Sequence, residues 1–221
     1  MSLLGVAEAA AELGVSAGRV RQMLADGVLE GERVGRVWVI KADKLRAVLH
    51  SRPEVGRPWN AASAWDVLAL ADSNEPNVSP VERSRARKRL AQGLDEVAGR
   101  LRARADRRQF YAHPSVLDRL ADAPGVVSGG ISAAAEHGAD LVALDGFEGY
   151  IRASDLNKLV ARFALDGRAD RPNVVLRVVD DAVWPFQKGQ KVAGRSVVAI
   201  DLLDSDDPRS RRAGAELARR R

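Results

Sequence analysis

The chain has 221 residues, a formal net charge of +5, 46% hydrophobic and 5% aromatic residues, and no cysteine. Its length favours two domains, and the missing thiols exclude disulfide scaffolds, thiolate metal sites and cysteine nucleophiles while suiting a reducing cytosol. No basic segment leads into an apolar run at the N-terminus and no apolar stretch reaches membrane length, so a cytoplasmic protein without membrane contact is expected; the basic balance suits a polyanionic partner, though solubility alone accounts for it equally.

Leu4 to Leu13 reads as a short amphipathic helix burying Val6, Ala9, Ala10 and Leu13, with Gly14 taking the turn after it. The first domain is built around the next helix, Val15 to Asp26. Ser16 is its N-cap, and Val20, Met23 and Leu24 recur at i, i+3 and i+4 as one apolar stripe. Arg19, Arg21 and Gln22 lie off that stripe near the helix start, where side chains reach base edges and phosphates. Gly27 suits a left-handed position just past the helix end.

From Leu29 to Ile40 the pattern alternates, as in a two-stranded hairpin with Gly35 at its tip. Val34, Trp38 and Ile40 are expected to face inward, and Arg33 and Arg36 flank the glycine where they reach phosphates. Asp43 then caps a third helix, Lys44 to His50, whose Leu45, Val48 and Leu49 close a small core. Residues 4–49 resemble the winged helix-turn-helix of the excisionase and MerR-like DNA-binding families. The segments AEAAAELGVS, VRQMLADGVL and VGRVWVIKADKL carry the likeness. It implies a major-groove helix with a phosphate-gripping wing. Arg19 stands where the family often has serine or threonine, so no base preference is carried over.

Ser51 to Asn60, with two prolines and a glycine, reads as a linker. Ala61 to Ala71 is a helix with Trp65, Leu68 and Ala69 on one side, and Trp59 and Trp65 are expected to pack the domains together. A long arginine-laced helix is expected from Ser79 or Pro80 to Arg108, with Gly93 and Gly99 as break points and an apolar stripe of Leu90, Leu94, Val97 and Leu101. Its arginines are spread around the axis, which favours a solvated surface over a phosphate-binding face.

Beyond His113 the chain is of mixed α and β character. Ser115 to Ala121 is a short helix, and the glycine pair Gly129-Gly130 precedes another. Neither phosphate-loop pattern is matched, so nucleotide binding is not expected. His137 reads as a C-cap, and the three histidines are too scattered for a metal site. Leu141 to Ala143 and Phe147 to Arg152 read as strands around Asp145-Gly146. Ala153 to Ala164 is a helix capped by Ser154, Asn173 to Val179 a strand, Val197 to Leu203 a central strand, and Asp206 to Arg221 the last helix, with Pro208 near its start. The whole is α+β, mainly α. Residues 1–52 form the DNA-binding domain, 53–109 a linker and helical connection, and 110–221 a larger domain with a small sheet.

The segments VSGGISAAAEHG, EGYIR, NVVLRVV and DLLDSDDPRSRRAGAEL are similar to the AbiEi family of type IV toxin–antitoxin antitoxins. That resemblance implies an autorepressor with a nucleotidyltransferase-type toxin as partner. Asp201, Asp204, Asp206 and Asp207 are the densest acidic group, and capping of a helix start outweighs a metal site there. No base with a persuasive partner appears, so no catalysis, cofactor or metal is expected. The leading reading is a DNA-binding regulator that takes double-stranded operator DNA through Ser16, Arg19, Arg21, Gln22, Arg33 and Arg36, as a homodimer or in several copies. Against it stand a phosphate-handling or nucleotidyl-transferring enzyme with a DNA-binding head, and an excisionase-like architectural protein.

Overall fold

A computed structural model describes residues 3–13, 15–25, 29–35, 37–42, 44–45, 57–143 and 145–220. The expected roles of Gly14, Gly27, Arg36 and Asp43, most of the helix Lys44 to His50, and residues 51–56 of the linker lie outside these. The fold is α+β with helix predominating. Contacts divide it into two units, Met1–Glu54 and Val55–Arg221.

The first unit opens with strand β1 (Leu3–Gly5) and then helix α1 (Val6–Leu13), so the helix begins two residues later than its apolar pattern suggests. Leu3 to Gly5 is instead drawn into a sheet. Helix α2 is Ala17–Ala25, and a hairpin of β2 (Gly31–Val34) and β3 (Val37–Lys41) follows. Strand β3 is central, pairing antiparallel with β1 and β2. Ala9, Ala10, Leu13, Val20, Met23, Leu24, Leu29, Ile40 and Leu45 form the core. Val34 does not face inward. Its cross-strand partner is Val37, and the two stand 64% and 59% exposed. Strand side chains alternate, so Val37 cannot share a face with Trp38 or with Ile40 three residues on; Ile40 takes the core face, and Val34 and Val37 take the other.

In the second unit, β4 (Asp106–Phe110), β5 (Val127–Ser128), β6 (Phe147–Arg152) and β7 (Val174–Val179) make a mixed sheet in the order β4-β7-β6-β5. Only the β6–β7 pair is parallel. Alternation divides the sheet between two cores. Phe147 and Ile151 of β6 and Val174, Leu176 and Val178 of β7 face one, with helices α5 (Leu117–Ala121) and α6 (Ala153–Phe163). Tyr150 and Val179 face the other, shared with α3 (Ala61–Ala71), α7 (Arg195–Leu203) and α8 (Pro208–Arg219).

Several expectations change here. The long basic helix is only α4 (Pro80–Leu90), closed at its start by a Ser79–Glu82 capping box. It stops before Gly93, which adopts φ +100, and the chain resumes as a 3-10 helix, Ala98–Arg104, and then β4. Leu94, Val97 and Leu101 are nonetheless buried, from turn and 3-10 positions. Residues 141–143 make no strand. Arg152 occupies the N-cap position of α6, and the Ser154 amide donates to Asp181 Oδ1 at 3.2 Å, so Ser154 does not cap. Val197 to Leu203, expected as a strand, is the helix α7. It packs against α8 closely enough that a Cβ on Gly214 would lie 2.8 Å from the Ala199 carbonyl oxygen. Trp65 is a core residue of this unit, with its ring edge-on to Tyr150 and Phe186, and the Trp59 ring has the Arg89 and Arg100 guanidinium groups of the same unit 4.6 and 5.8 Å from its centre.

Candidate nucleic-acid interface

Helix α2 is held from both ends of its chemistry. The Arg19 amide donates to Ser16 Oγ at 3.2 Å, which satisfies one of the amides a helix start leaves unpaired. The apolar stripe of Val20, Met23 and Leu24 is buried against α1 and the hairpin. A Cβ on Gly31 would come 2.6 Å from Leu24 Cδ2, so a larger residue there would displace the Leu24 side chain.

With that stripe spent on the core, the rest of α2 is exposed. Gly18, Arg19, Arg21, Gln22 and Ala25 all face solvent. At about 100° per residue, Gly18, Gln22 and Ala25 run along the middle of the outward face, while Arg19 and Arg21 flank it on opposite sides. The expected reading residues are thus brought onto one surface, with Gln22 central. Gly18 was missed by reading charge and hydrogen-bonding capacity alone. An added Cβ there would meet nothing nearer than Ser16 Oγ at 3.8 Å, so the helix backbone is bare at the centre of the face. Its signal in the sequence is a small residue one turn before Gln22 and two before Ala25.

On the hairpin, Arg33 pairs across from Trp38 and is exposed, whereas Gly35 turns the tip with φ +63. Residues directly opposite in an antiparallel pair share a face, so Arg33 stands on the core-facing side of the sheet beyond the edge of the core. Glu32 takes the other side. The guanidinium is therefore on the face of the hairpin that also carries Ile40, and the acid is turned away from it.

The acidic group of the second unit has a different use. Asp207 caps α8, accepting from the Ser210 amide at 2.8 Å, and Asp204 accepts from Arg102 and Arg104. Asp201 is inside. Its carboxylate takes Arg104 Nη2 at 2.6 Å, Arg177 Nε at 3.0 Å, the Tyr150 hydroxyl at 2.5 Å and the Gly130 amide at 2.9 Å. Burial, opposed by Arg104 and Arg177 and reinforced by Asp201, holds the Tyr150 hydroxyl above the usual phenol range, so it remains a donor. The glycine pair that invites a phosphate-loop reading serves this carboxylate: a Cβ on Gly129 would press on Asp201 and Tyr150, each at 2.8 Å. His137 ends a short 3-10 turn, with Nε2 2.8 Å from the Ala193 carbonyl oxygen, and Gly138 follows in the left-handed region.

The family model described as a helix-turn-helix domain matches residues 3–53, a span that includes α1, α2 and the hairpin. Neither the characterised proteins nor the solved structures contain a match to the chain. The chain carries a DNA-binding helix-turn-helix domain at its N-terminus. Among the described residues, no helix is long and apolar enough to cross a membrane.

Proposed function

We propose that the protein is a cytoplasmic transcriptional regulator that reads operator DNA with the outward face of α2. The observation that carries this is the division of α2 itself. Its apolar residues are consumed by the core, while Arg19, Arg21 and Gln22 are presented together around the bare backbone at Gly18. Arginine and glutamine are suited to bidentate contacts with guanine and adenine edges. Arg33, joined by Arg36 on the evidence of sequence, grips phosphates beside the groove. One small winged domain touches few base pairs, so useful specificity calls for a dimer or several copies on repeated half-sites.

In this reading the second unit makes contacts and carries out no bond chemistry, and the protein is the autorepressing antitoxin of a type IV toxin–antitoxin operon. The likeness of residues 125–217 to the AbiEi pattern supports it. The segments that bear the likeness supply Gly130, Tyr150, Arg177 and Asp201, which converge on one buried cluster. The DLL segment enters as a helix, not as the strand expected from its apolar run.

Footprinting of the purified protein on the DNA upstream of its own gene tests the regulator. Protection of a discrete site, lost with Arg19→Ala, supports it, and equal binding to random DNA overturns it. Rescue of growth when the chain is co-expressed with a neighbouring nucleotidyltransferase tests the antitoxin role separately.

A further inference from the structure

The second unit contains an open cavity of about 760 Å³ between α3, the loop after it and the segment leading to α7. That volume lies within the range of small-molecule sites. Trp65, Phe186 and Trp184 supply an aromatic wall, packed edge to face with ring centroids 5.6 and 5.0 Å apart. Asp66, Asp72 and Glu75 supply the charge, and no lysine or arginine is among the described residues lining the cavity. In a chain with 35 basic against 30 acidic residues, this cavity is a local reversal of sign.

The three carboxylates are not equivalent. Glu75 is engaged by Arg83 and Arg87, and Asp72 accepts from the Ser196 amide at the start of α7 at 2.8 Å. Asp66 has no hydrogen bond or ion pair among the described residues. Burial, with Glu82 adding repulsion against a weaker pull from Arg89, raises its carboxyl above the usual range. A neighbouring cation would relieve both effects. Cations bind well against indole and phenyl faces, and the wall here already shows the chemistry, with the Arg152 guanidinium 4.7 Å from the Trp184 ring centre.

We propose that this cavity binds a small organic cation, an amine or quaternary ammonium on an apolar body, with Asp66 as counter-ion and Trp65, Trp184 and Phe186 as the wall. The aromatic surface takes the apolar body, and Asp66, which has no ion pair or hydrogen bond among the described residues, selects the charge. An anion of the same shape is excluded by the same carboxylates. This site is independent of the DNA-reading face and does not need that reading to hold.

Titration of the full chain with benzyltrimethylammonium and with phenylacetate, followed by tryptophan fluorescence and calorimetry, is the test. Saturable binding of the cation below about 20 mM, absent for the anion, supports the site. Asp66→Asn should weaken the cation by roughly tenfold or more. Amide shift mapping by NMR on the unsubstituted protein keeps the test sharp if that variant folds poorly, because cation-induced shifts must gather at residues 65–78 and 182–194. No cation binding in that range, equal binding of phenylacetate, an unchanged affinity in a folded Asp66→Asn, or shifts gathered elsewhere would each overturn the proposal.

Discussion

Arg104 and Asp201 lie 97 residues apart in the chain and meet at 2.6 Å inside the second unit, with side chains 2% and 0% exposed. Asp201 sits on α7, Arg104 ends the 3-10 helix before β4, and Arg177 on β7 completes the contact from the sheet. Three layers of the unit are thus tied at one carboxylate. Such a cluster contributes little net stability when intact, because desolvating the charges offsets their attraction, but losing one member leaves bare charges inside.

Asp201→Asn is therefore expected to cost about 3–5 kcal/mol, since two buried guanidinium groups lose their shared anion. Urea denaturation measures it. Replacing Asp201, Arg104 and Arg177 together by apolar residues of similar volume should recover only part of that loss, because the buried Tyr150 hydroxyl and Gly130 amide then lack their acceptor. If the single variant were as stable as the parent, the carboxylate would not be holding these layers together.

The same residue shows what a sequence can and cannot convey. Val197 to Leu203 is an apolar run too short to distinguish a buried strand from a buried helix by period. As α7, it is buried on every side from Ser196 to Leu202, so no polar face marks the helical repeat. The one deviation, Asp201, is explained only by partners distant in sequence. Likewise the expected helix from Ser79 to Arg108 has Leu94, Val97 and Leu101 buried as expected and Leu90 half-buried. Gly93 and the demands of β4, which must pair with β7, break its backbone. The first unit was more legible because α2 has one wet face and one dry face, with Ser16 marking its start. Val34 differs from that expectation because the register across Gly35 sets it opposite Val37, and the pair together takes the face away from the core.

On the DNA-reading face, the two sets of arginines should separate by experiment. Arg19→Ala or Arg21→Ala is expected to cost on the order of 1–3 kcal/mol on the operator and little on random DNA, where a base contact is lost. Arg33→Ala should weaken both alike and lower the slope of log K against log salt by about one unit. Gel-shift titrations at several salt concentrations measure these terms. Identical behaviour of the two sets would remove the distinction between reading helix and wing.

Gly18 separates stability from recognition. It lies in the first turn of α2 with open space where a Cβ would go, so Gly18→Ala should stabilise the first unit by less than the roughly 0.5–1 kcal/mol of a helix interior. Gly18→Leu projects a branched side chain from the middle of the outward face. That variant should melt no lower than the parent while its operator affinity falls by about tenfold or more, because the helix backbone can no longer approach the bases. Thermal melts and gel shifts on the two variants check both halves.

The acid limb of stability should trace in part to Asp207. The Ser210 amide and hydroxyl both donate to its carboxylate at 2.8 Å, and together they hold its pKa below the usual carboxylate value. A depressed folded-state pKa means that the contribution is complete above the unfolded carboxylate value of about 3.9 and is lost as pH falls through the lower folded value. Asparagine at this position accepts from the amide but carries no charge to titrate or to favour the positive helix start. Asp207→Asn should therefore be less stable than the parent at neutral pH, and the gap should close as pH falls through the lowered folded-state value. Urea midpoints for the two proteins at pH steps from neutral to strongly acidic measure that gap, and one that stays constant with pH would mean that Asp207 caps α8 without its charge contributing.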